Sequence, residues 1–215
     1  MKSKIIVGCI LLTMFLLWTA AVCTVDVQPI GPNDSLVGFA TINGYVHDLT
    51  GVNYGLYIIT DWLSLIPVAM VMGFGFLGLM QWIQRKSIWK VDGSILALGI
   101  FYLIVGAVFL FFENVVINYR PVLIEGVLEA SYPSSTTMLV LCVMGSAGFQ
   151  FRQRIQNPVL RWCVILAVSA FTVLMVAGRL LSGVHWLTDI IGGGLLSGGL
   201  LILYDAAAKE WQIYN

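Results

Sequence analysis

Residues 5–25 read IIVGCILLTMFLLWTAAVCTV, an apolar run that follows two lysines, Lys2 and Lys4. A membrane-spanning helix needs about 20 predominantly apolar residues, and this run is long enough. A secretory signal has a shorter apolar core, of about 7–15 residues, and a cleavage site of small residues. We therefore expect residues 5–25 to form a retained first membrane span.

The composition of the whole chain favours a membrane protein. Charged residues make up 10% of the 215 residues, hydrophobic residues make up 59%, and the mean hydropathy is +0.92. Soluble domains usually contain about 25% charged residues. The formal net charge of zero gives no indication of a nucleic-acid partner. The cysteines lie in apolar runs without metal-ligand spacing, which is typical of packing residues.

Five further apolar runs follow along the chain. Only helices and closed barrels satisfy their backbone hydrogen bonds in lipid, and continuous runs of this length are typical of helices. We predict an all-α fold, a polytopic six-helix transmembrane bundle that forms a single membrane domain, 1–215. The predicted spans are 5–25, 62–83, 94–115, 134–151, 162–179 and 188–207, with a long outer loop at 26–61.

The outer loop 26–61 has turn signals and room for a surface helix or a lid. Its adjacent His47 and Asp48 do not make a metal site by themselves, and we expect them to be exposed loop residues.

Lysine and arginine are distributed unevenly over the segments between the spans. Cytoplasmic segments carry an excess of these residues, which sets the orientation of a membrane protein. With both termini inside, only Arg120 and Arg179 lie on the outer side. The site that these arginines mark would face outside, and the short loops are compatible with a bacterial cytoplasmic membrane. The inner basic residues are Lys2, Lys4, Arg85, Lys86, Lys90, Arg152, Arg154, Arg161 and Lys209.

The segment Gly178–Asp189 combines one outer arginine with a histidine and an aspartate. If the segment is helical, His185 and Asp189 share one face, so the carboxylate could hold the imidazole tautomer. The planar guanidinium of Arg179 suits phosphate oxygens.

This segment resembles the third motif of the type-2 phosphatidic acid phosphatase superfamily, which is Ser-Arg, five residues, His, three residues, Asp. Arg179, His185 and Asp189 match the motif, and Gly178 replaces the serine. The resemblance implies that His185 is a nucleophile that forms a phosphohistidine, oriented by Asp189.

The segment YPSSTT, residues 132–137, resembles the second motif of the superfamily, Pro-Ser-Gly-His. Pro133 and Ser134 match, while Ser135 replaces the glycine and Thr136 replaces the histidine that protonates the leaving group. Pro and Ser before an apolar run are also helix-start signals, and a helix N-terminus favours an anion. The hydroxyl side chains of this segment are therefore either phosphate ligands or helix caps.

The segment Glu113–Pro121 resembles the first motif, Lys, six residues, Arg-Pro. Arg120 and Pro121 match, and Glu113 takes the place of the lysine. Positions 113 and 120 are about two helical turns apart, so a helix would present both on similar faces. A glutamate repels a phosphate dianion, but a Glu113 carboxyl kept protonated by burial could replace the missing acid.

The resemblance implies a membrane lipid phosphatase that needs no cofactor and no metal. Its substrate would be a phospholipid or prenyl diphosphate, whose phosphate lies at the outer membrane face. The expected catalytic residues are His185, Asp189 and Glu113, and the expected substrate-binding residues are Arg120, Arg179, Pro121, Ser134, Ser135 and Thr136.

Two alternatives stay open at the level of sequence. The loss of the acid and of the lysine also fits an impaired homologue that binds or transports lipid phosphates, and a purely structural membrane subunit is a further alternative. Taken singly, Arg120 and Arg179 could be interfacial cations, His185 an interfacial histidine and Asp189 a helix cap.

Overall fold

The computed structural model describes residues 2–214, with side chains through residue 209, so residues 1 and 215 of the predicted domain lie outside the described residues. The described chain is helical, which confirms the predicted all-α class. Short 3-10 helices occur at Pro32–Asp34 and Ile88–Lys90. The α-helices are α1 Lys2–Thr24, α2 Ala40–Thr50, α3 Tyr54–Leu63, α4 Leu65–Arg85, α5 Gly93–Asn114, α6 Ser135–Arg154, α7 Pro158–Leu181 and α8 Leu187–Tyr214.

Within the described residues, five helical segments are long and apolar enough to cross a membrane. They correspond to five of the six predicted spans. The second of these segments begins at Tyr54 rather than at residue 62, because α3 and α4 follow each other with only Ser64 between them. The segments are Lys2–Thr24, Tyr54–Arg85, Gly93–Asn114, Pro158–Leu181 and Leu187–Lys209.

The remaining predicted span, 134–151, corresponds to α6, which is less apolar than the other long helices. Its 20 residues extend over about 30 Å, enough for a bilayer core. Helix α6 packs against α4, α5, α7 and α8, so protein rather than lipid surrounds much of its surface. The buried Gln150 finds partners there, because it donates hydrogen bonds to the Tyr204 hydroxyl at 2.7 Å and the Ser94 carbonyl at 3.2 Å. The count of six spans stays a prediction.

A cluster of charged and polar side chains joins three helices at the end of the bundle where α4 ends and α5 begins. The Asp92 carboxylate accepts hydrogen bonds from Gln81 at 2.8 Å, Arg85 at 2.9 Å and Arg154 at 3.0 Å. These contacts tie α4 and α6 to the start of α5. Arg85 and Arg154 belong to the predicted inner basic residues, and the cluster lies at the opposite end of α5 from Glu113.

The predicted outer loop contains two helices, α2 and α3, and α2 packs against the beginning of α8. The buried Asn43 side chain donates to Thr188 Oγ1 at 2.9 Å and to the Gly38 carbonyl at 2.8 Å, and it accepts from the Thr188 backbone N–H at 3.2 Å. The expectation of an exposed His47 was wrong, because its half-buried ring packs 5.5 Å from the Trp186 ring. The segment therefore holds the start of α8 in place.

We predict that Asn43→Ala lowers the free energy of unfolding by about 1–3 kcal/mol, because it leaves buried backbone and hydroxyl groups of Gly38 and Thr188 without their partner. Thermal unfolding in detergent micelles would measure the loss. Asp48→Ala, at an exposed position of the same helix, is the matched control and should change stability by less than about 0.5 kcal/mol. Equal effects of the two substitutions would contradict the anchoring role of Asn43.

Candidate active site

The three predicted segments meet at the end of the bundle remote from Asp92. Helix α5 ends at Asn114, six residues before Arg120, so the prediction that positions 113 and 120 share a helix face was wrong. A hairpin-like turn carries Arg120 instead: its N–H donates to the Glu129 carbonyl at 3.0 Å, and the Ser131 N–H donates to the Asn118 carbonyl at 2.9 Å. This pairing sets Arg120 opposite Glu129 and Ser131 opposite Asn118, so Arg120 and Ser131 lie diagonally across the turn.

His185 lies in the short connection before α8 and is almost completely buried, with 3% of its surface exposed. Its Nδ1 is 3.0 Å from Ser131 Oγ, and Ser131 Oγ donates a hydrogen bond to Asp189 Oδ2 at 2.5 Å. The direct distance from His185 Nδ1 to Asp189 Oδ2 is 3.8 Å. The expected His–Asp pair is therefore close, but the Ser131 hydroxyl bridges it, and the premise that both residues are helical was wrong.

The hydroxyl bridge determines which imidazole nitrogen carries the proton. Ser131 gives its only hydrogen to Asp189, so its oxygen is left to accept from His185 Nδ1–H. The tautomer with hydrogen on Nδ1 has its lone pair on Nε2. That atom lies 3.5 Å from Arg120 Nη1. In this tautomer the guanidinium can only donate to Nε2, so the lone pair that would act as the nucleophile faces the arginine.

Asp189 lies in the first turn of α8, and both its side chain and its main-chain carbonyl contribute to the site. Its Oδ2 accepts the Trp186 N–H at 2.9 Å, as a helix cap would. The same oxygen also contacts Ser131, so Asp189 has both roles. Its backbone carbonyl accepts the Ser134 N–H at 3.1 Å. This bond joins the beginnings of α6 and α8.

Arg120 and Arg179 both lie near His185, and each has a more exposed carboxylate partner. Arg120 Nε is 3.0 Å from Glu129 Oε2, whose side chain is 40% exposed. Arg179 is 1% exposed; its Nη1 donates to Thr60 Oγ1 at 3.4 Å and lies 3.9 Å from Asp61 Oδ1. The Arg179 guanidinium also lies 5.0 Å from the Tyr57 ring. Helix α3 therefore contributes directly to the site.

Burial and then the positive charges of Arg120 and Arg179 lower the pKa of His185 well below its usual 6.5. The contact with Ser131 opposes this shift but does not cancel it. The imidazole is consequently neutral at pH 7, the form in which Nε2 has a lone pair.

The comparisons with known proteins agree with this geometry. Residues 111–211 match the sequence model of the PAP2 superfamily, and this range contains all three segments. The chain belongs to the PAP2 superfamily.

A solved structure shares the fold over almost the whole chain. The chain is similar to the crystal structure of a transmembrane PAP2 type phosphatidylglycerolphosphate phosphatase from Bacillus subtilis, with a TM-score of 0.63 and 18% identity. The match covers 94% of this chain and 96% of that chain. No curated protein sequence matches. Together with the apolar helices, these findings identify an integral membrane protein of the PAP2 superfamily.

The second-motif residues of this PAP2 chain do not share one environment, whereas the histidine and the arginines lie together. Ser134 is buried and caps α6, since its Oγ accepts the Thr137 N–H at 3.4 Å. Ser135 and Thr136 line an apolar cavity between α4, α5 and α6. Among the described residues, no hydrogen bond joins either side chain to His185 or to the arginines.

Glu113 and Pro121 lie near the hairpin-like turn. Pro121 is half-buried directly after Arg120. Glu113 is exposed, so the expected burial of its carboxyl was wrong. It lines a cavity of about 10 Å³ together with Ser131 and Ser135, which is the minimum space for one water molecule.

The sequence analysis did not predict the residues that contact His185, Arg120 and Arg179. Ser131 lies one position before the second-motif segment, outside the motif itself. Glu129 lies in the connection between α5 and α6, and Thr60 and Asp61 lie in α3, within the predicted outer loop; no motif marks these positions. In the described part of the chain, no three His, Cys, Asp or Glu side chains are grouped closely enough to hold a metal ion.

We predict that His185 titrates well below pH 6.5 and stays neutral, with hydrogen on Nδ1, as the pH falls through that value. The chain has only two histidines, so ¹⁵N-histidine NMR in micelles resolves both. Arg120→Gln removes one positive charge and should raise the His185 midpoint, while burial still keeps it below 6.5. His47, whose pKa burial lowers, is the internal control and should not move. A wild-type His185 midpoint at or above 6.5 would contradict the structure.

Proposed function

We propose that this protein is a membrane lipid phosphatase that removes phosphate from an amphiphilic phospho- or diphospholipid through a phosphohistidine at His185. The observation that carries the proposal is the orientation of the imidazole: Nδ1 faces Ser131, and the Nε2 lone pair faces the Arg120 guanidinium at 3.5 Å, where a phosphate would bind. An activated nucleophile is expected to have a partner at one ring nitrogen and the electrophile at the other.

In the first step, the Nε2 lone pair attacks phosphorus and forms a P–N bond. The P–O bond to the lipid breaks, and its electron pair leaves with the lipid oxygen. The imidazole becomes positively charged, and the path from Nδ1–H through the Ser131 hydroxyl to the Asp189 carboxylate stabilises that charge. Water then attacks phosphorus and breaks the P–N bond, which releases inorganic phosphate and restores neutral His185.

The arginines supply electrostatic stabilisation of the phosphoryl oxygens. In the structure, Glu129 and Asp61 are the anions closest to them, and these side chains are 40% and 60% exposed. Exposed carboxylates can turn toward water at little cost, so a substrate phosphate can replace them. This exchange supports a site that is held ready for an anion without a permanently buried charge pair.

The second motif lacks the histidine that would donate a proton to the leaving group. Thr136 stands where the superfamily pattern has histidine, and general acid assistance is worth about 10²–10⁴-fold in rate. A diphosphate substrate depends less on this assistance, because its leaving group is itself a phosphate. Glu113 is the remaining candidate donor for other substrates: its carboxyl is exposed rather than buried, but it lines the small cavity that Ser131 also lines, which has space for one water molecule.

The proposed orientation places the site at the outer face and both termini in the cytoplasm, in a bacterial cytoplasmic membrane. The distribution of charge supports it: Arg85, Arg154 and Lys4 lie near the end of the bundle that holds Asp92 and Asp205, away from His185. Cytoplasmic ends of membrane helices are typically the basic ones.

A second candidate function is lipid-phosphate binding or transport on a disabled phosphatase scaffold. Glu113 and Thr136, which replace the lysine and the histidine of the superfamily pattern, favour this function. A phosphate carrier needs the arginines but neither the lysine nor the general acid. The two functions differ in whether phosphate is released.

We expect purified protein to release phosphate from at least one of phosphatidic acid, diacylglycerol diphosphate and prenyl diphosphates. His185→Ala should lower the rate by at least about 10³-fold, because no other group provides the nucleophile. His47→Gln is the matched control, a second histidine outside the proposed machinery, and should stay within about threefold of wild type. Release that is absent, or unchanged in His185→Ala, would instead favour binding or transport.

Glu113→Gln tests the proton donor separately. If Glu113 protonates the leaving group, the variant should lose about 10²-fold in kcat for phosphatidic acid, whose leaving group is an alkoxide. The same variant should keep most of its activity toward a diphosphate lipid. Initial rates on both substrates in the same micelles measure the difference, and an equal effect on both would exclude this role.

A further inference from the structure

An apolar groove lies between α6 and α7, apart from the candidate active site. Its cavity, of about 470 Å³, is lined by residues of both helices and by Leu201 of α8. It shares no lining residue with the cavities that Thr136 and Glu113 line beside the site. We call it the α6–α7 groove; its lining extends from Leu141 to Arg152 on α6 and from Trp162 to Val173 on α7.

The groove opens at the Asp92 end of the bundle and stops near the middle of both helices. Helix α6 runs from the candidate active site to Arg154, whose guanidinium donates to Asp92 at 3.0 Å. On each helix the lining of the groove covers 11 residue steps, or about 16 Å. One leaflet contributes about 15 Å, half of the hydrocarbon core of a bilayer. The groove therefore has the length of an acyl chain in one leaflet, the leaflet remote from His185.

Two arginines without carboxylate partners lie at the open end of the groove. Arg152 lines the groove, and its guanidinium lies 6.0 Å from the Trp162 ring. Arg161 precedes this tryptophan in the first turn of α7. Among the described side chains, no carboxylate forms an ion pair with either guanidinium, whereas Arg154 pairs with Asp92 at 3.0 Å. The open end therefore carries positive charge that the described protein groups do not neutralise.

Gly148 keeps the groove open one helical turn away from Arg152. A Cβ added at Gly148 would meet no atom within 4 Å. Glycine costs about 1 kcal/mol relative to alanine in a helix interior, so packing within the protein gives no reason for this residue. Farther along the groove, the Thr172 hydroxyl donates to the Val168 carbonyl of its own helix at 2.8 Å, which leaves no demand for a polar ligand there. A chain that passes Gly148 has its polar end at Arg152, because residues four apart share a helix face.

We propose that the α6–α7 groove binds an anionic phospholipid of the leaflet at the Asp92 end, with one acyl chain in the groove and the lipid phosphate at Arg152 and Arg161. Arginine and tryptophan are typical of the membrane interface, and a guanidinium matches phosphate oxygens. Basic pockets between membrane helices bind anionic headgroups in this way. The ammonium of a zwitterionic lipid would offset the charge of its phosphate, so a lipid of net negative charge is favoured.

The unpaired arginines also argue against a second copy of the chain as the occupant. A twofold contact centred on the groove would bring the same patch of each copy to the interface. Each copy would then place Arg152 and Arg161 there, and like charges repel. An anionic lipid neutralises this charge instead.

Native mass spectrometry of the purified full-length protein in uncharged detergent micelles tests the site. The protein is titrated with phosphatidylglycerol and, separately, with phosphatidylcholine of the same acyl chains. Phosphatidylglycerol should bind at least about fivefold more tightly, because each basic residue near a headgroup contributes about this factor. Equal affinity of the wild-type protein for the two lipids would overturn the proposal.

Substitution of the charged residues locates the headgroup. Arg152→Gln should lower the affinity for phosphatidylglycerol about fivefold and that for phosphatidylcholine by less than about twofold, and adding Arg161→Gln should extend the loss by a similar factor. Lys86→Gln is the charge-matched control, because Lys86 is an exposed residue after α4 that does not line the groove. If Arg152→Gln binds phosphatidylglycerol as Lys86→Gln does, the proposal is overturned. Because Arg152 is exposed, this test does not depend on a substitution in the protein interior.

Substitution of glycine locates the acyl chain. Gly148→Leu fills the groove and should weaken both lipids at least about fivefold, since the chain loses its apolar contacts. Gly73→Leu is the matched control on α4, because a Cβ at Gly73 also meets no atom within 4 Å and Gly73 does not line the groove. Equal lipid binding by the two variants would overturn the proposal. So would a dimer that Gly148→Leu dissociates without any change in lipid binding, since the groove would then be a protein interface.

The site is independent of the proposed phosphatase activity. His185→Ala leaves the groove intact and should bind phosphatidylglycerol as the wild-type protein does. Absence of phosphate release therefore leaves this inference standing, and loss of lipid binding in Arg152→Gln leaves the proposed function standing.

Discussion

Ser131 Oγ lies between His185 Nδ1 and Asp189 Oδ2, and the rest of the site is arranged around this chain of three groups. All three residues are buried, where an unpaired polar group costs far more than in water. The hydroxyl bonds to both neighbours at once, to His185 Nδ1 and to Asp189 Oδ2, because it has one hydrogen to give and lone pairs to accept. Its position depends in turn on the backbone pairing of Ser131 with Asn118, which is the same pairing that sets Arg120 beside the imidazole.

Contacts from several helices of the bundle hold this arrangement in place. Helix α8 begins next to the site and is tied to α2 through Asn43 and to the start of α6 through the Ser134 N–H. Helix α3 holds Arg179 from the other side through Thr60. Each of these contacts comes from a different part of the chain. The membrane bundle thus fixes a polar site at its rim, where loops alone would leave it mobile.

Hydropathy predicts most of this fold and fails where its physical basis fails. It detects the helices that face lipid, because their side chains must be apolar over a bilayer thickness. It ranks α6 low because that helix is surrounded by other helices, so Gln150 and its polar neighbours find partners in protein. Motif spacing predicted His185, Asp189 and the arginines, but spacing says nothing of backbone conformation. The helical geometry assumed for Glu113 and Arg120 was therefore wrong, and Ser131, which adjoins the motif, was missed.

Thr136 connects the altered chemistry of the site with the packing beside it. In the superfamily pattern a histidine at this position provides the proton; here the smaller threonine lines an apolar cavity between α4, α5 and α6, beside Ser135. The position therefore adjoins apolar side chains and has no hydrogen bond to His185 or to the arginines among the described residues. The loss of acid catalysis fits a lipid whose leaving group is itself a phosphate, because such a group departs without full protonation.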